Sequence, residues 1–288
     1  MTPRAWLLFA VCAAVWGVPY LFIKVAVDAG LSPAFVAWAR IALAALLVVP
    51  LAVRRGALRD LSGRWLAIAA YAATEIAVPF VLIASGEQYI SSSLTAILIA
   101  TMPLMVALLS VRLSPADQPT GWRLVGLVIG LGGVVALLGV DVAGRPDELL
   151  GAGLVLAATL GYATAPIIVS RRLADLDPLG PVAVSLVVST VALLPAALLS
   201  PPHAMPSAAA LGSIAVLGVA CTAVGLIAFF QLIAEAGPSR ASVVTYVNPL
   251  VAVVAGVLAL GEHLGGMSLA GLLLILGGSW LSTATRQP

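Results

Sequence analysis

Three side chains that carry charge at neutral pH, Lys24, Arg40 and Glu75, lie inside long apolar runs of this chain. A charge in hydrocarbon surroundings is costly and normally faces a partner or a water-filled cavity. Glu75 shares one helical face with Tyr71 and Thr74, at i, i+3 and i+4 spacing, and Pro79 follows one turn on. A carboxylate there can contact a substrate amine or carry a coupling proton. The plainer alternatives are a structural ion pair or a protonated, neutral acid. The planar guanidinium of Arg40 matches a carboxylate, either that of Glu75 or that of a substrate acid. A structural pairing is the preferred reading for Arg40. Lys24 is about three residues from the end of its run, close enough for its ammonium to snorkel to the interface. Trp16, Tyr20 and Lys24 recur at spacing four and form one stripe. Such stripes usually serve packing, but the cation at its end and the adjacent Pro19 suit a cavity wall.

Four prolines, Pro79, Pro103, Pro166 and Pro249, fall inside apolar runs. Each removes a backbone donor and frees a carbonyl, and freed backbone at membrane depth must face protein or water. Asn248 precedes Pro249, with Ser242, Thr245 and Tyr246 just upstream, and Thr101 stands beside Met102-Pro103. These breaks mark the expected neighbourhood of a binding cavity. Tyr162 completes the candidate pathway of Trp16, Tyr20, Lys24, Arg40, Tyr71, Glu75, Thr245, Tyr246 and Asn248.

The elements that hold these residues follow from composition. Of 288 residues only 9% are charged, 14 basic and 12 acidic, while 62% are hydrophobic. A soluble domain carries about 25% charged residues, so a soluble enzyme, a nucleic-acid binder and a disordered chain are all excluded. Cys12 and Cys221 lie in apolar stretches with no CxxC pairing or nearby His, which indicates buried thiols and no metal site. A bilayer core of about 30 Å needs roughly 20 apolar helical residues. Ten segments are predicted to span it: 5–27, 33–53, 64–84, 88–110, 121–140, 149–169, 179–199, 208–233, 240–260 and 267–284. The first continues through Trp16 to Ile23, longer than the roughly 7–15 apolar residues of a cleaved signal peptide. With the N-terminus inside, eleven arginines from Arg4 to Arg286 face the cytoplasm and Arg145 alone faces outward. The positive-inside rule then puts both termini in the cytoplasm of a cell (plasma or inner) membrane. His203 and His263 fall in outer loops as solvated residues.

The chain also repeats itself. Gly121-Trp122-Arg123-Leu124-Val125-Gly126 aligns with Gly266-Met267-Ser268-Leu269-Ala270-Gly271 at an offset of 145. The same offset carries Leu131-Gly132-Gly133 onto Leu276-Gly277-Gly278 and Asp117 onto Glu262, and Met102-Pro103-Leu104 aligns with Asn248-Pro249-Leu250 at 146. Two units are expected, 1–145 and 146–288, with five spans each. An odd number of spans puts the second unit into the membrane upside down, the arrangement used for alternating access. The fold expected is an all-α integral membrane protein of ten transmembrane helices in two inverted five-helix repeats. The glycines of spans five and ten permit close packing, read here as internal contact.

Trp16-Gly17 followed by Lys24, Pro33 and Arg40, the Pro103-Leu104 and Pro249-Leu250 pairs, and Gly261-Glu262 leading to Gly271 and Gly277-Gly278 resemble two EamA domains over about 5–284. The resemblance implies the drug/metabolite transporter superfamily, with ten helices, both termini inside and carriage of small metabolites, often outward. The function expected is a secondary active transporter, an exporter of small metabolites such as amino acids. The alternative is a flippase or carrier of a lipid-linked substrate. No GxxxxGK[ST] or HExxH motif occurs, so no catalytic residue, metal or cofactor is expected. The partners expected are a small molecule, the bilayer and protons as the candidate coupling ion, without nucleic acid, in a monomer or weak homodimer.

Overall fold

The computed structural model describes residues 1–59, 61–113, 121–138, 145–202 and 204–283; Asp117, His203 and Arg286 lie outside them. Among the described residues it is helical and has no strand. Seven helices are long and apolar enough to cross a membrane: α1 (Pro3–Asp28), α2 (Pro33–Arg54), α3 (Trp65–Gly86), α4 (Ser92–Leu109), α6 (Pro146–Arg172), α7 (Leu179–Leu199) and α8 (Ala208–Ala236). Three shorter apolar helices, α5 (Trp122–Leu137), α9 (Val244–Leu260) and α10 (Gly266–Ser282), occupy the other three predicted spans.

Local chemistry sets the ends. Thr2, Ser32, Ser91 and Ser207 each accept, through the side-chain oxygen, a backbone N–H three residues on, and Pro3 and Pro33 open their helices. Gly261, left-handed at φ 65°, ends α9. The interruptions differ from those the prolines suggested. α6 runs through Pro166 and α9 through Pro249 unbroken, because a proline removes only one hydrogen bond and a packed helix can absorb it. The breaks fall at Val18 before Pro19 and at Ala100-Thr101 before Pro103, where the Thr101 hydroxyl donates to the Leu98 carbonyl at 2.6 Å. α3 and α8 carry π-helical turns, at Ala72–Ala77 and Val216–Val224. The two turns are about one repeat apart, and each shifts the side-chain register in mid-helix.

The helices pack in exchange-related pairs when each is swapped for the helix five places along. α1 packs on α8 as α6 does on α3, α1 on α9 as α6 on α4, and α2 on α8 as α7 on α3. The pairs α2–α7, α4–α9 and α5–α10 map onto themselves. Ends follow the same rule: Arg4 and Thr2 of α1 reach Glu235 of α8, at 3.9 and 2.7 Å, and Arg64 beside α3 pairs with Asp175 beyond α6 at 2.7 Å. Several pairings break the exchange, α4 on α10 among them, whose mate α5–α9 makes no comparable contact among the described residues. α1 packs on α4, and α2 on α3, in the half farthest from the N-terminus. Their mates, α6–α9 and α7–α8, make no comparable contact among the described residues.

α5 and α10 meet along glycines. A Cβ on Gly126 would lie 2.5 Å from the Ser282 backbone nitrogen and 2.7 Å from the Gly278 oxygen, and one on Gly133 would lie 3.1 Å from the Gly271 oxygen. Exchanging the repeats turns the Gly126–Gly278 contact into the Gly271–Gly133 contact. Gly126→Val is therefore expected to force the two helices apart and to lower the melting temperature in detergent by several degrees, an overpacking loss of about 1–3 kcal/mol. Gly132→Val, at a position open to space, is the control and should melt like the unmodified protein.

Candidate substrate cavity

A cavity of about 500 Å³ lies between the two halves. Its wall includes Trp16, Tyr20, Arg40, Tyr71, Glu75, Tyr162, Thr245 and Asn248, together with Pro103, Pro166 and Pro249. The pathway residues read from sequence thus mostly converge, from six helices. Lys24, Tyr246 and Pro79 are outside the lining. The cavity runs from Ile23 and Ile83, both buried, to Ser242, which is exposed near the N-terminal end of the bundle.

Arg40 does not make the expected ion pair. It is 5% exposed, and among the described residues its guanidinium has no carboxylate partner. Its Nη2 donates to Thr222 Oγ1 at 3.2 Å, its Nε is buried without an acceptor, and its carbon lies 3.8 Å from the centre of the Phe80 ring. Stacking on an aromatic face when desolvated contributes about 2 kcal/mol, which offsets part of the cost of the buried charge. Thr222 stands in the π-helical turn of α8 and donates to the Leu217 carbonyl, five residues back, at 2.8 Å. The longer turn gives that hydroxyl its lone pairs free to face Arg40. Glu75 occupies the matching π-helical turn of α3, half-buried in the cavity wall.

Trp16 donates its indole N–H to the Cys221 carbonyl at 3.0 Å and lies 4.8 Å from the Phe229 ring, so its face of α1 is both packing and cavity wall. Asn248 Oδ1 is buried without a donor among the described residues. Phe80, Thr222 and Phe229 were not singled out from the sequence, and Cys221 was read only as a buried thiol. The repeat offset was the available signal for two of them, since it carries Glu75-Ile76-Ala77 onto Ala220-Cys221-Thr222.

The far end is held by a second cluster. Lys24 donates to the Glu87 backbone carbonyl at 2.8 Å and pairs with Asp28 at 3.1 Å, so it ties α1 to the α3–α4 connection instead of lining the pathway. Glu262 of the second half accepts from the backbone nitrogens of Ser92 and Ser93 at 2.8 and 2.9 Å, and from both serine hydroxyls. A carboxylate on four donors at the start of α4 satisfies the helix's orphan N–H groups and its positive dipole end.

Glu87, just past the end of α3, is fully buried, and among the described residues neither carboxyl oxygen has a hydrogen-bond partner. Burial pushes this carboxyl well above the usual range; Lys24 and Arg40 act against that shift, while Glu262 and Asp28 add to it. The folded protein therefore holds a proton that an unfolded chain releases near pH 4.3, roughly. Stability is full below that value and declines as pH rises toward the folded value, by at most about 1.4 kcal/mol per pH unit. Melting curves of the purified protein should fall between pH 5 and 8, by roughly this slope, and Glu87→Gln should flatten them. Parallel curves would show that folded Glu87 does not retain this extra proton.

Matches to known proteins identify the family. The model of the EamA-like transporter family matches residues 4–139 and again 149–284. The chain belongs to the EamA-like transporter family. This EamA-like chain is 28% identical over 291 residues to an uncharacterized transporter of Archaeoglobus fulgidus, covering 98% of this chain and all of that one. It is 26% identical to the uncharacterized inner membrane transporter YedA of Escherichia coli K12, over 89% of this chain and 81% of YedA. It is also 26% identical to the uncharacterized transporter YvbV of Bacillus subtilis, over 95% and 89%. A solved crystal structure, 18% identical, superposes with a TM-score of 0.69 over 98% of this chain and 97% of that one, and so has the same fold. The chain is a multi-pass membrane transporter.

Proposed function

We propose that this chain is a secondary active transporter, an exporter of small metabolites such as amino acids, working by alternating access between two inverted five-helix repeats, 1–145 and 146–288. It sits in the cell membrane with ten spans and both termini in the cytoplasm, and protons are the coupling ion. The observation that carries the reading is the broken exchange symmetry. Most helix pairs obey the repeat exchange, yet α1–α4 and α2–α3 pack in the half farthest from the N-terminus while their mates α6–α9 and α7–α8 make no comparable contact among the described residues. A scaffold with two equivalent packings, held in one of them, has the form that alternating access requires. The other packing would close at the N-terminal end and release Glu262 from Ser92 and Ser93.

Proteoliposomes test this. A thermal-shift screen of amino acids, sugars and nucleobases identifies ligands, and counterflow of a labelled hit reports carriage. In a background with Cys12 and Cys221 replaced by alanine, Thr245→Cys should react with a small thiol reagent from the cytoplasmic side and be protected by the hit. Tyr246→Cys should gain no such protection, since it lies outside the lining. Binding without counterflow would overturn the transporter reading.

A further inference from the structure

We propose that the cavity binds an amphipathic ligand with a single carboxylate, which is clasped by Arg40, and an apolar body that lies against Phe80, Trp16 and Phe229. The inference rests on the reading of this cavity as the substrate site and gives that site a ligand class. An arginine side chain stays protonated at any physiological pH and presents five N–H donors in a fixed fork. Here one donor goes to Thr222, Nε is buried with no acceptor, and no carboxylate among the described residues neutralises the charge. A buried cation left in that state is strongly destabilising unless something completes it. The residue is nine-tenths buried and lines the cavity, so a ligand meets its remaining guanidinium N–H groups from the cavity side.

Charge and shape narrow the class. A single guanidinium balances a single negative charge, and its fork fits the two oxygens of a carboxylate bidentately. A phosphate monoester would bring a second negative charge, with Glu75 in the same wall. The rest of the wall is largely aromatic and aliphatic. Phe80 already covers one face of the guanidinium and Phe229 stacks on Trp16, which leaves apolar surface for the ligand's body. Glu75 and the free Asn248 Oδ1 accept hydrogen bonds, so an ammonium on the ligand is tolerated but not required.

The test is calorimetric titration of the full chain in detergent with five probes sharing a phenyl body. 3-Phenylpropanoate and L-phenylalanine carry the carboxylate, L-phenylalaninamide and 2-phenylethylamine lack it, and phenyl phosphate is a dianion. The two acids should bind at least about tenfold more tightly than the other three, the smallest effect expected for a charge-assisted bidentate pair. Arg40→Gln should remove that preference, and Arg40→Lys should restore part of it, having the charge without the fork. Equal binding of acid and amide, tighter binding of phenyl phosphate, or no binding of either acid at millimolar concentration would each overturn the proposal. The comparison of acid with amide on the unmodified protein decides the matter even where a variant at Arg40 fails to fold. Carboxylate-dependent binding without counterflow would remove the transporter reading and leave this inference standing. Counterflow of amines alone would do the reverse.

Discussion

Replacing Glu75 by glutamine is expected to abolish uptake driven by a pH gradient while leaving exchange of labelled for unlabelled substrate intact. Glu75 is an acid set in mid-helix in a cavity wall, and among the described residues no basic group pairs with it. Its backbone lies in the π-helical turn Ala72–Ala77, which re-aims the side chains of that turn. A coupling group must gain a proton when the cavity faces one side and lose it when it faces the other. Glutamine keeps the size and one acceptor oxygen but holds no exchangeable proton. Driven uptake in proteoliposomes should therefore fall to the undriven level, while counterflow, which needs no net proton movement, should keep its rate within about twofold, a rate change under 1 kcal/mol. Driven uptake at the original rate would remove Glu75 from coupling. Loss of both activities would make it a binding residue instead.

Glu262→Ala is expected to open the far end. Glu262 spans the two halves and accepts from two backbone nitrogens and two hydroxyls of Ser92 and Ser93. Gly256 leaves the room this needs, since a Cβ there would lie 2.5 Å from Glu262 Oε2 and 2.5 Å from Ser93 Oγ. Alanine removes the acceptor of the Ser92 and Ser93 backbone N–H groups and hydroxyls, while Ser91 still caps Leu94, a loss of about 2–4 kcal/mol. On the alternating-access mechanism proposed above, these contacts exist only while this end is closed, so the loss falls on this state alone. About 2 kcal/mol shifts an equilibrium by about thirtyfold. Two measurements check it, in the background lacking both native cysteines. The melting temperature should drop, and Ile83→Cys, on the far side of the cavity lining, should become reactive to an impermeant thiol reagent added outside. Glu262→Gln, which keeps one good acceptor, should lie between. Unchanged melting and unchanged Ile83→Cys reactivity would mean that the cluster is not a lock. Gly256→Ala should repeat the effect in milder form by crowding the same atoms.

Much of the fold was legible along the chain because its signals are local. Apolar runs of membrane length, Thr2, Ser32, Ser91 and Ser207 at helix starts, and glycines recurring at an offset of 145 can each be read within a few residues or by comparing the chain with itself. Arg40 and Glu75 stood out for the same reason, since a charge in a long apolar run must be accounted for. The proline reading was less successful. Pro166 and Pro249 sit in unbroken helices, and the largest irregularities are π-helical turns with no proline inside them. Whether a helix absorbs a lost hydrogen bond depends on what packs around it.

The sequence by itself determined that this is a helical membrane protein with an internal duplication and three charges in its spans. The tertiary structure decided what those charges do. Arg40 meets Thr222, 182 residues away, and not Glu75; Lys24 meets the backbone of Glu87, 63 residues on; and Glu262 meets Ser92, 170 residues back. Apolar periodicity places a residue on a helix and at a depth, but a buried polar group takes its identity from the atom opposite. In a helical bundle that atom comes from elsewhere in the fold, chosen by packing rather than by spacing along the chain.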